Sequence, residues 1–531
     1  MLYDLATAEN DQEAQADVLV IGSGVAGLLL ATELRRHNVR VVVLESGARE
    51  QPTETHEFNR VVQLGTEYRG ATYGRFRCLG GTSTRWGGAL IPFLEGDLEP
   101  RPHLGLPAWP VGLNTLLPYL AQIERIFGVD GGSYDEKFIS EFGDAHLAPA
   151  RDDFVPRFAK WPVFRKRNLA TLFGETIGQD PSLAVWMNAT ATDFGLDRES
   201  GRLRSVTARH LGGRKITVTA GHVVVCAGAI ESTRLLLLLD AQHQGRVFEA
   251  NAALGRYLND HISIRVAAIE SSHPDRLNRL AGMRFVGRTI RSLRFEMSPE
   301  AQAREGVASA FAHIAFMADE DNGFAALRDF LRTLQQSGRI QTQSALKILA
   351  DMPYLARIGL WRLFYKQLYW PTPAQYDLHL VSEQLPHPDN RIALAEQQDA
   401  FGNRLAAIDW NIRPPDLDVL RTFIRLFQAY WQRHGYDSAG RLGWSVDPDG
   451  SDIMSAAGGG YDIFHPCGST RMGADAHSAV VDKDLRAFSV QNLWVASTSV
   501  FPSGASANPT LMLMLLTLRL AQHLARTLKT S

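Results

Sequence analysis

The stretch VLVIGSGVAG, Val18 to Gly27, decides how this 531-residue chain begins to fold. Val18 to Ile21 is a continuous apolar run, suited to a parallel strand buried on both faces. GSGVAG follows where strand gives way to helix, the context in which a G-x-G-x-x-G pattern carries meaning. Gly22 permits the tight turn, Gly24 lets backbone approach a pyrophosphate, and Gly27 allows close helix–strand packing. Val25 and Ala26 open a helix predicted to reach His37, whose free N–H groups and dipole favour phosphate. A second strand, Arg40 to Leu44, ends at Glu45, about 20 residues further on, where a carboxylate can accept hydrogen bonds from a ribose diol. No neighbouring arginine stands in its place, which argues against a 2′-phosphate. Dinucleotide binding is expected.

The same logic recurs far along the chain. HVVVCAGAIESTRLLLLL (His222 to Leu239) reads as strand, glycine turn and Leu-rich helix. NLWVA (Asn492 to Ala496) is another short strand, followed by a Ser/Gly/Pro loop and a long helix from about Pro509 to Arg526. Units so far apart predict an α/β fold: a Rossmann-like dinucleotide-binding domain assembled from discontinuous segments, 1–95, 181–265 and 460–531. Residues 96–180 and 266–459 are then expected to form an α+β substrate-binding cap. Within the cap, 323–370 reads as helical and rich in aromatic and basic residues. Its most amphipathic part, ARIGLWRLFYKQLYW (Ala356 to Trp370), is read as a lid or inter-domain helix in preference to a membrane-surface helix.

Composition narrows the class. With 45% hydrophobic and 21% charged residues and a formal charge of −2, the chain is ordinary globular protein with no electrostatic case for a nucleic-acid partner. Three cysteines without metal or redox spacing argue against a disulfide framework and against a metal site, and point to the cytoplasm. The first 17 residues contain no Lys or Arg, unlike a signal peptide, and the apolar stretch from Val18 to Ala31 is too short and glycine-broken to span a bilayer. A soluble protein is expected.

A second glycine loop distinguishes FAD from NAD. RCLGGTSTRWGG (Arg77 to Gly88) has no purpose in a single NAD unit, whereas a flavin must be embraced at its pyrophosphate and along its ring edge. Gly80, Gly81, Thr82, Ser83, Gly87 and Gly88 are small enough to let backbone N–H groups reach both, and a buried Trp86 fits poorly with an ordinary surface loop. Near the C-terminus, HPCGSTRMG (His465 to Gly473) and SGASANPT (Ser503 to Thr510) set a histidine in a small-residue loop and an asparagine before a helix start.

Taken in order, these tracts, with CAGAIESTRLLL (Cys226 to Leu237) and the lesser GRYLNDH (Gly255 to His261), resemble the glucose–methanol–choline (GMC) oxidoreductases, which are FAD-dependent alcohol and sugar oxidases and dehydrogenases. The resemblance implies that His465 is the catalytic histidine and Asn508 its partner. It also implies that Ala191, Ala227, Gly228, Ser497, Asn508, Pro509 and Thr510 line the FAD. STRW (Ser83 to Trp86) looks like the STHW loop of fungal pyranose 2-oxidases, whose histidine is bonded to the flavin. Arg85 stands at that position here, so noncovalent FAD is expected. Many members carry Asn at the place of Trp86 and Asp at that of Ser497. These departures, with ANPT, place the chain nearer the pyranose-oxidase-like and bacterial sugar-oxidising branches.

Oxidising an alcohol to a carbonyl requires removing the hydroxyl proton and delivering the carbon-bound hydrogen as hydride to flavin N5. A histidine titrating near neutrality suits the first task, and general-base assistance is worth roughly 100- to 10,000-fold in rate. Asn508 has two compatible readings: N-cap ahead of Pro509 at the first helical position, and amide donor orienting a substrate hydroxyl toward His465. A helix N-terminus there would also favour negative charge near flavin N1 and C2=O. Cys467 is read as a packing residue. The expected reaction is oxidation of a secondary alcohol of a sugar or glycoside to a ketone, with O2, a quinone or a redox protein as acceptor. Aliphatic, aromatic or sterol alcohols, or redox-neutral lyase chemistry, are the alternatives.

Overall fold

In the computed structural model, which describes residues 1–51, 55–140, 149–318, 326–327, 351–370, 374–447 and 461–530, the Val18 run ends a longer strand, Gln12–Ile21. The first half of that strand is mostly half-exposed, while Val18, Leu19, Val20 and Ile21 are buried. The reason is pairing on both sides: Val41–Leu44 and Lys215–Val225 flank it in parallel. Leu183–Met187 and Leu2–Asp4 extend the parallel sheet beyond Val41–Leu44. On the other side, Lys215–Val225 divides its length. Its start pairs antiparallel with Arg202–Arg209, which in turn takes Thr190–Asp197, and its end pairs parallel with Leu493–Val495.

Strands from three distant parts of the chain thus share one sheet, and their carboxyl ends are in register. Ile21 lies opposite both Leu44 and Val225, and Val225 opposite Val495. In open α/β sheets this edge is where ligands bind. Helix Val25–Arg35, shorter than expected by a turn's fraction, and helix Thr510–Thr530 pack against one another over the sheet. Ala26 to Leu34 are all buried, so the helix is covered all round and needs no polar face.

A second, antiparallel sheet runs Arg284–Val286, Thr289–Met297, Ala310–Ala318, Ala374–Glu383, His261–Glu270 and Arg441–Trp444. Phe154–Trp161 joins it through Thr289–Met297, and Tyr461–Asp462 through His261–Glu270. Helix Pro414–Arg433 lays Phe423, Phe427, Tyr430 and Trp431 against Phe154 and Phe295. This sheet begins at His261 rather than at 266 and takes Tyr461–Asp462 as well, because both runs present their hydrogen-bonding edges to the antiparallel strands. Arg391–Gln398, Arg404–Asp409 and Val61–Gln63 form a small third sheet.

Of the expected helical stretch 323–370, residues 323–325 and 328–350 lie outside the described residues. Met352–Tyr365 is a helix that buries Ile358 and Trp361 and exposes Leu360, Leu363 and Phe364. Among the described residues, no helix is long and apolar enough to cross a membrane.

Candidate active site

A cavity of about 850 Å³ starts at the carboxyl edge of the parallel sheet and runs to the C-terminal loops. Gly22, Gly24, Val25, Ala26 and Glu45 line one end, and His465, Ser497, Asn508, Pro509 and Thr510 the other. Gly81, Thr82, Ser83, Trp86, Gly87, Gly88, Ala191, Ala227 and Gly228 line it as well. Two predicted positions, Gly27 and Gly80, do not face it. A Cβ on Gly27 would stand 1.9 Å from the carbonyl oxygen of Gly22, so this glycine serves helix–strand packing. Gly80 is in the left-handed region (φ 92°) and donates its N–H to Ser23, joining the two glycine loops.

The cavity has the chemistry of a dinucleotide cradle. Helix Val25–Arg35 has no side-chain cap, so its first N–H groups are left for a ligand. A Cβ on Gly24 or Gly228 would meet no atom within 4 Å, so each glycine leaves open cavity beside the backbone. Gly81 packs on Gly24, where a Cβ would come within 2.9 Å of its Cα. The volume falls within the roughly 300–1,000 Å³ of small-molecule and cofactor sites. These features fit FAD.

Several predicted contacts acquire a second duty. The Glu45 carboxylate accepts from Ser23 N–H (2.9 Å), Ser23 O–H (2.7 Å) and Gly47 N–H (2.8 Å), clamping the loop it faces. Burial raises its pKa, and those three bonds oppose the shift. An arginine does lie nearby in space: Arg77 donates to Ser46 Oγ at 2.9 Å, a proximity hidden by sequence distance. It also binds Asn59, the Phe58 carbonyl and Glu231. Ser83 Oγ donates to Gly80 O and accepts from Leu169 N–H, Ser497 Oγ accepts from Ser499 N–H, and half-buried Trp86 donates its indole N–H to the Arg167 carbonyl at 2.7 Å.

At the far end, Asn508 Nδ2 lies 3.4 Å from His465 Nε2. The helix starts at Thr510, with the Pro509 carbonyl accepting its first bond from Leu513. Asn508 is therefore not the cap that the Asn-Pro-Thr pattern predicts. Its oxygen accepts instead from Arg294 Nη2 at 2.9 Å, a charged donor from the antiparallel sheet. His465 Nδ1 lies 3.0 Å from His261 Nδ1, and the Asp260 carboxylate accepts the backbone N–H of His465 (3.0 Å) and of His261 (2.6 Å). Burial holds His465 well below the usual histidine range, with His261 and Arg294 adding to the effect. Burial likewise lowers Arg294, to about 10. The Cys467 thiol is pushed far up by burial and donates to the His465 carbonyl, so it offers no nucleophile.

The loop carrying Asn508 is pinned from below. Ala505 N–H donates to Glu383, itself in a buried bidentate pair with Arg101 at 2.6 and 2.8 Å. Ser506 O–H donates to Glu296, which pairs with Arg157. Ala505 sits at φ 47°, a strained backbone for alanine held by these contacts. Of the residues that the motifs missed, His261 carried a signal, since it ends GRYLNDH; Arg294 and Glu383 carried none.

A glycine-opened helix on a parallel sheet edge, a dinucleotide-sized cavity and a low-pKa histidine at its end define the class: a dinucleotide-dependent α/β oxidoreductase. The comparisons make it more particular. Residues 386–517 match the model described as GMC oxidoreductase, and residues 20–53 that of an NAD(P)-binding Rossmann-like domain. Two relatives align over nearly their whole length. The 2-methyl-1,2-propanediol dehydrogenase of Mycolicibacterium austroafricanum is 23% identical over 96% of this chain and 95% of its own. The fructose dehydrogenase large subunit of Gluconobacter japonicus is 22% identical over 98% and 99%. A solved formate oxidase of Aspergillus oryzae superposes with a TM-score of 0.60 at 15% identity, covering 98% of this chain and 100% of that one. Residues 386–517 thus belong to the GMC oxidoreductase family, and the chain is an FAD-dependent oxidoreductase acting on alcohol groups.

Proposed function

We propose that the chain oxidises a secondary alcohol of a sugar or glycoside to a ketone, with His465 as general base and Asn508 as the donor that orients the hydroxyl. One observation carries this reading: His465 Nε2 and Asn508 Nδ2 meet at 3.4 Å on the wall of the cavity that the glycine loops open. FAD, when bound, supplies the acceptor for the hydride that leaves the carbinol carbon. The residues that would hold it are Gly22, Gly24, Val25 and Ala26 with Glu45, the second glycine loop from Gly81 to Gly88, Ala191, Ala227–Gly228, and Ser497 with Asn508 to Thr510. Arg85, whose protonated guanidinium has no free lone pair, cannot form the flavin linkage made by the histidine of the STHW loop, and the reading is noncovalent FAD. The holding domain is read as segments 1–95, 181–265 and 460–531, less residues 261–265 and 461–462, which join the antiparallel sheet of the cap, and the remainder caps it.

Proton removal falls to His465 Nε2. A base must be unprotonated to act, and the lowered pKa keeps this imidazole neutral into mildly acid solution. The kcat/KM profile is therefore expected to stay flat to below the ordinary histidine range near pH 6.5. Removing a neighbouring positive charge relieves part of the shift, so Arg294→Met is expected to move the acid limb to higher pH. A limb left in place would show that Arg294 does not act on His465.

The fructose dehydrogenase relative supports the sugar class. A second reading, a branched aliphatic diol, is favoured by the likeness to 2-methyl-1,2-propanediol dehydrogenase. Anaerobic mixing of the yellow protein with a panel of sugars, glycosides and short diols separates them. Bleaching by at least one sugar or glycoside is expected; bleaching by diols alone would overturn the sugar assignment.

A further inference from the structure

Proton positions in the His465 pair are fixed by what stands at either end of a five-member chain. At one end is Arg294, whose guanidinium can only donate, and it gives Nη2–H to Asn508 Oδ1 at 2.9 Å. The amide is thereby oriented with Nδ2–H toward His465 Nε2. At the other end the Ala505 carbonyl, which can only accept, lies 2.7 Å from His261 Nε2, with the Gly504 carbonyl at 3.3 Å. His261 must therefore carry its proton on Nε2. Burial lowers its pKa, so the ring is neutral and its Nδ1 is a bare acceptor. The 3.0 Å contact between the two Nδ1 atoms then needs a proton from His465. His465 is left with Nδ1–H and a lone pair on Nε2, the atom on the cavity side.

We propose that His261 is a positioning residue that sets the tautomer of His465 through this contact, directing its basic nitrogen at the substrate hydroxyl. The edge-on geometry of the rings, with centroids 5.1 Å apart and planes at 83°, aligns one nitrogen with the other. Asp260 steadies both residues from the backbone side, so the register between them does not depend on the rings alone. Nδ1 of a histidine base commonly meets a carboxylate or a carbonyl; here a second imidazole takes that place and relays the demand of a carbonyl one ring further away. Without it, only the longer 3.4 Å contact from Asn508 opposes a proton on Nε2, where His465 cannot act as base.

The kinetic part rests on His465 being the base; the spectroscopic part does not. In ¹⁵N-histidine-labelled holoenzyme, the exchange-protected ring N–H signals are expected to include two from this pair, His465 Nδ1–H and His261 Nε2–H. His465→Ala should remove the first alone, and His261→Leu both. His261→Asn, which keeps an acceptor oxygen near the place of Nδ1, should retain the His465 Nδ1–H signal. A proton found on His465 Nε2, or His465 signals indifferent to His261→Leu, would overturn the proposal whether or not a substrate is known. With an oxidised alcohol in hand, His261→Leu should lower kcat about 100-fold with flavin retained and KM nearly constant. His261→Asn should recover most of the rate, and His261→Leu should add nothing to His465→Ala. Equal damage from Leu and Asn, or losses that multiply in the double variant, would mark His261 as merely structural.

Discussion

Gly24→Val is expected to yield a folded protein that purifies without flavin. Gly24 has ordinary backbone angles (φ −71°, ψ −163°), so a branched side chain strains nothing there. A Cβ meets no atom within 4 Å, because it would project into the cavity beside the uncapped N–H groups of the helix. The space valine fills is the space a pyrophosphate needs, and the anion loses its approach to the helix end. A loss of at least about 100-fold in FAD affinity, roughly 2.7 kcal/mol, follows for displaced contacts of this kind. The apoprotein should melt where the wild-type apoprotein melts. Gly27→Ala makes the contrast. Its Cβ would sit 1.9 Å from the Gly22 oxygen and 3.0 Å from its carbon, both backbone, so neither can yield. That variant should lose stability as well as colour. Visible absorbance and thermal melts of the two apoproteins check the pair, and a Gly24→Val protein that binds FAD normally would place the cofactor elsewhere.

His465→Ala is the second large effect. The substitution removes the ring while Asp260 still holds the backbone, so the loop and the cofactor cavity should persist. What goes is the acceptor for the hydroxyl proton. The rate should fall by about 100- to 10,000-fold, the range that general-base assistance supplies, with flavin content unchanged and little effect on KM. Steady-state kinetics on protein normalised by flavin absorbance reads this directly. A rate within a few-fold of wild type would remove His465 from the chemistry.

The glycine turn, its strand and the first residues of its helix were legible because they answer to local geometry. A buried parallel strand must be apolar, and a helix that meets a phosphate must open on glycine. Ala227 and Gly228, at the end of another parallel strand, were legible for the same reason. Asn508 was half legible. Its pattern spells a helix cap, yet the charged donor Arg294 arrives from a strand over 200 residues away and takes the side-chain oxygen. Glu45 was placed at the right end of the cavity, but its bonds to Ser23 and Gly47 are loop contacts that periodicity does not reveal. His261 was within a recognised motif and still passed without a role, since nothing in GRYLNDH says which side chain the antiparallel sheet will turn toward His465. Sequence pattern reports the elements; the meeting of Arg294, His261 and His465 depends on how two sheets are set against each other.

The most direct measurement is anaerobic reduction of the holoenzyme by an alcohol carrying deuterium on its carbinol carbon, run with wild type and with His465→Ala. Bleaching that slows with deuterium, and slows far more when His465 is absent, is the expected result. Bleaching at the wild-type rate in His465→Ala, or indifferent to deuterium with every alcohol oxidised, would contradict the assignment of His465 as the base of an alcohol oxidation at the end of the FAD cavity.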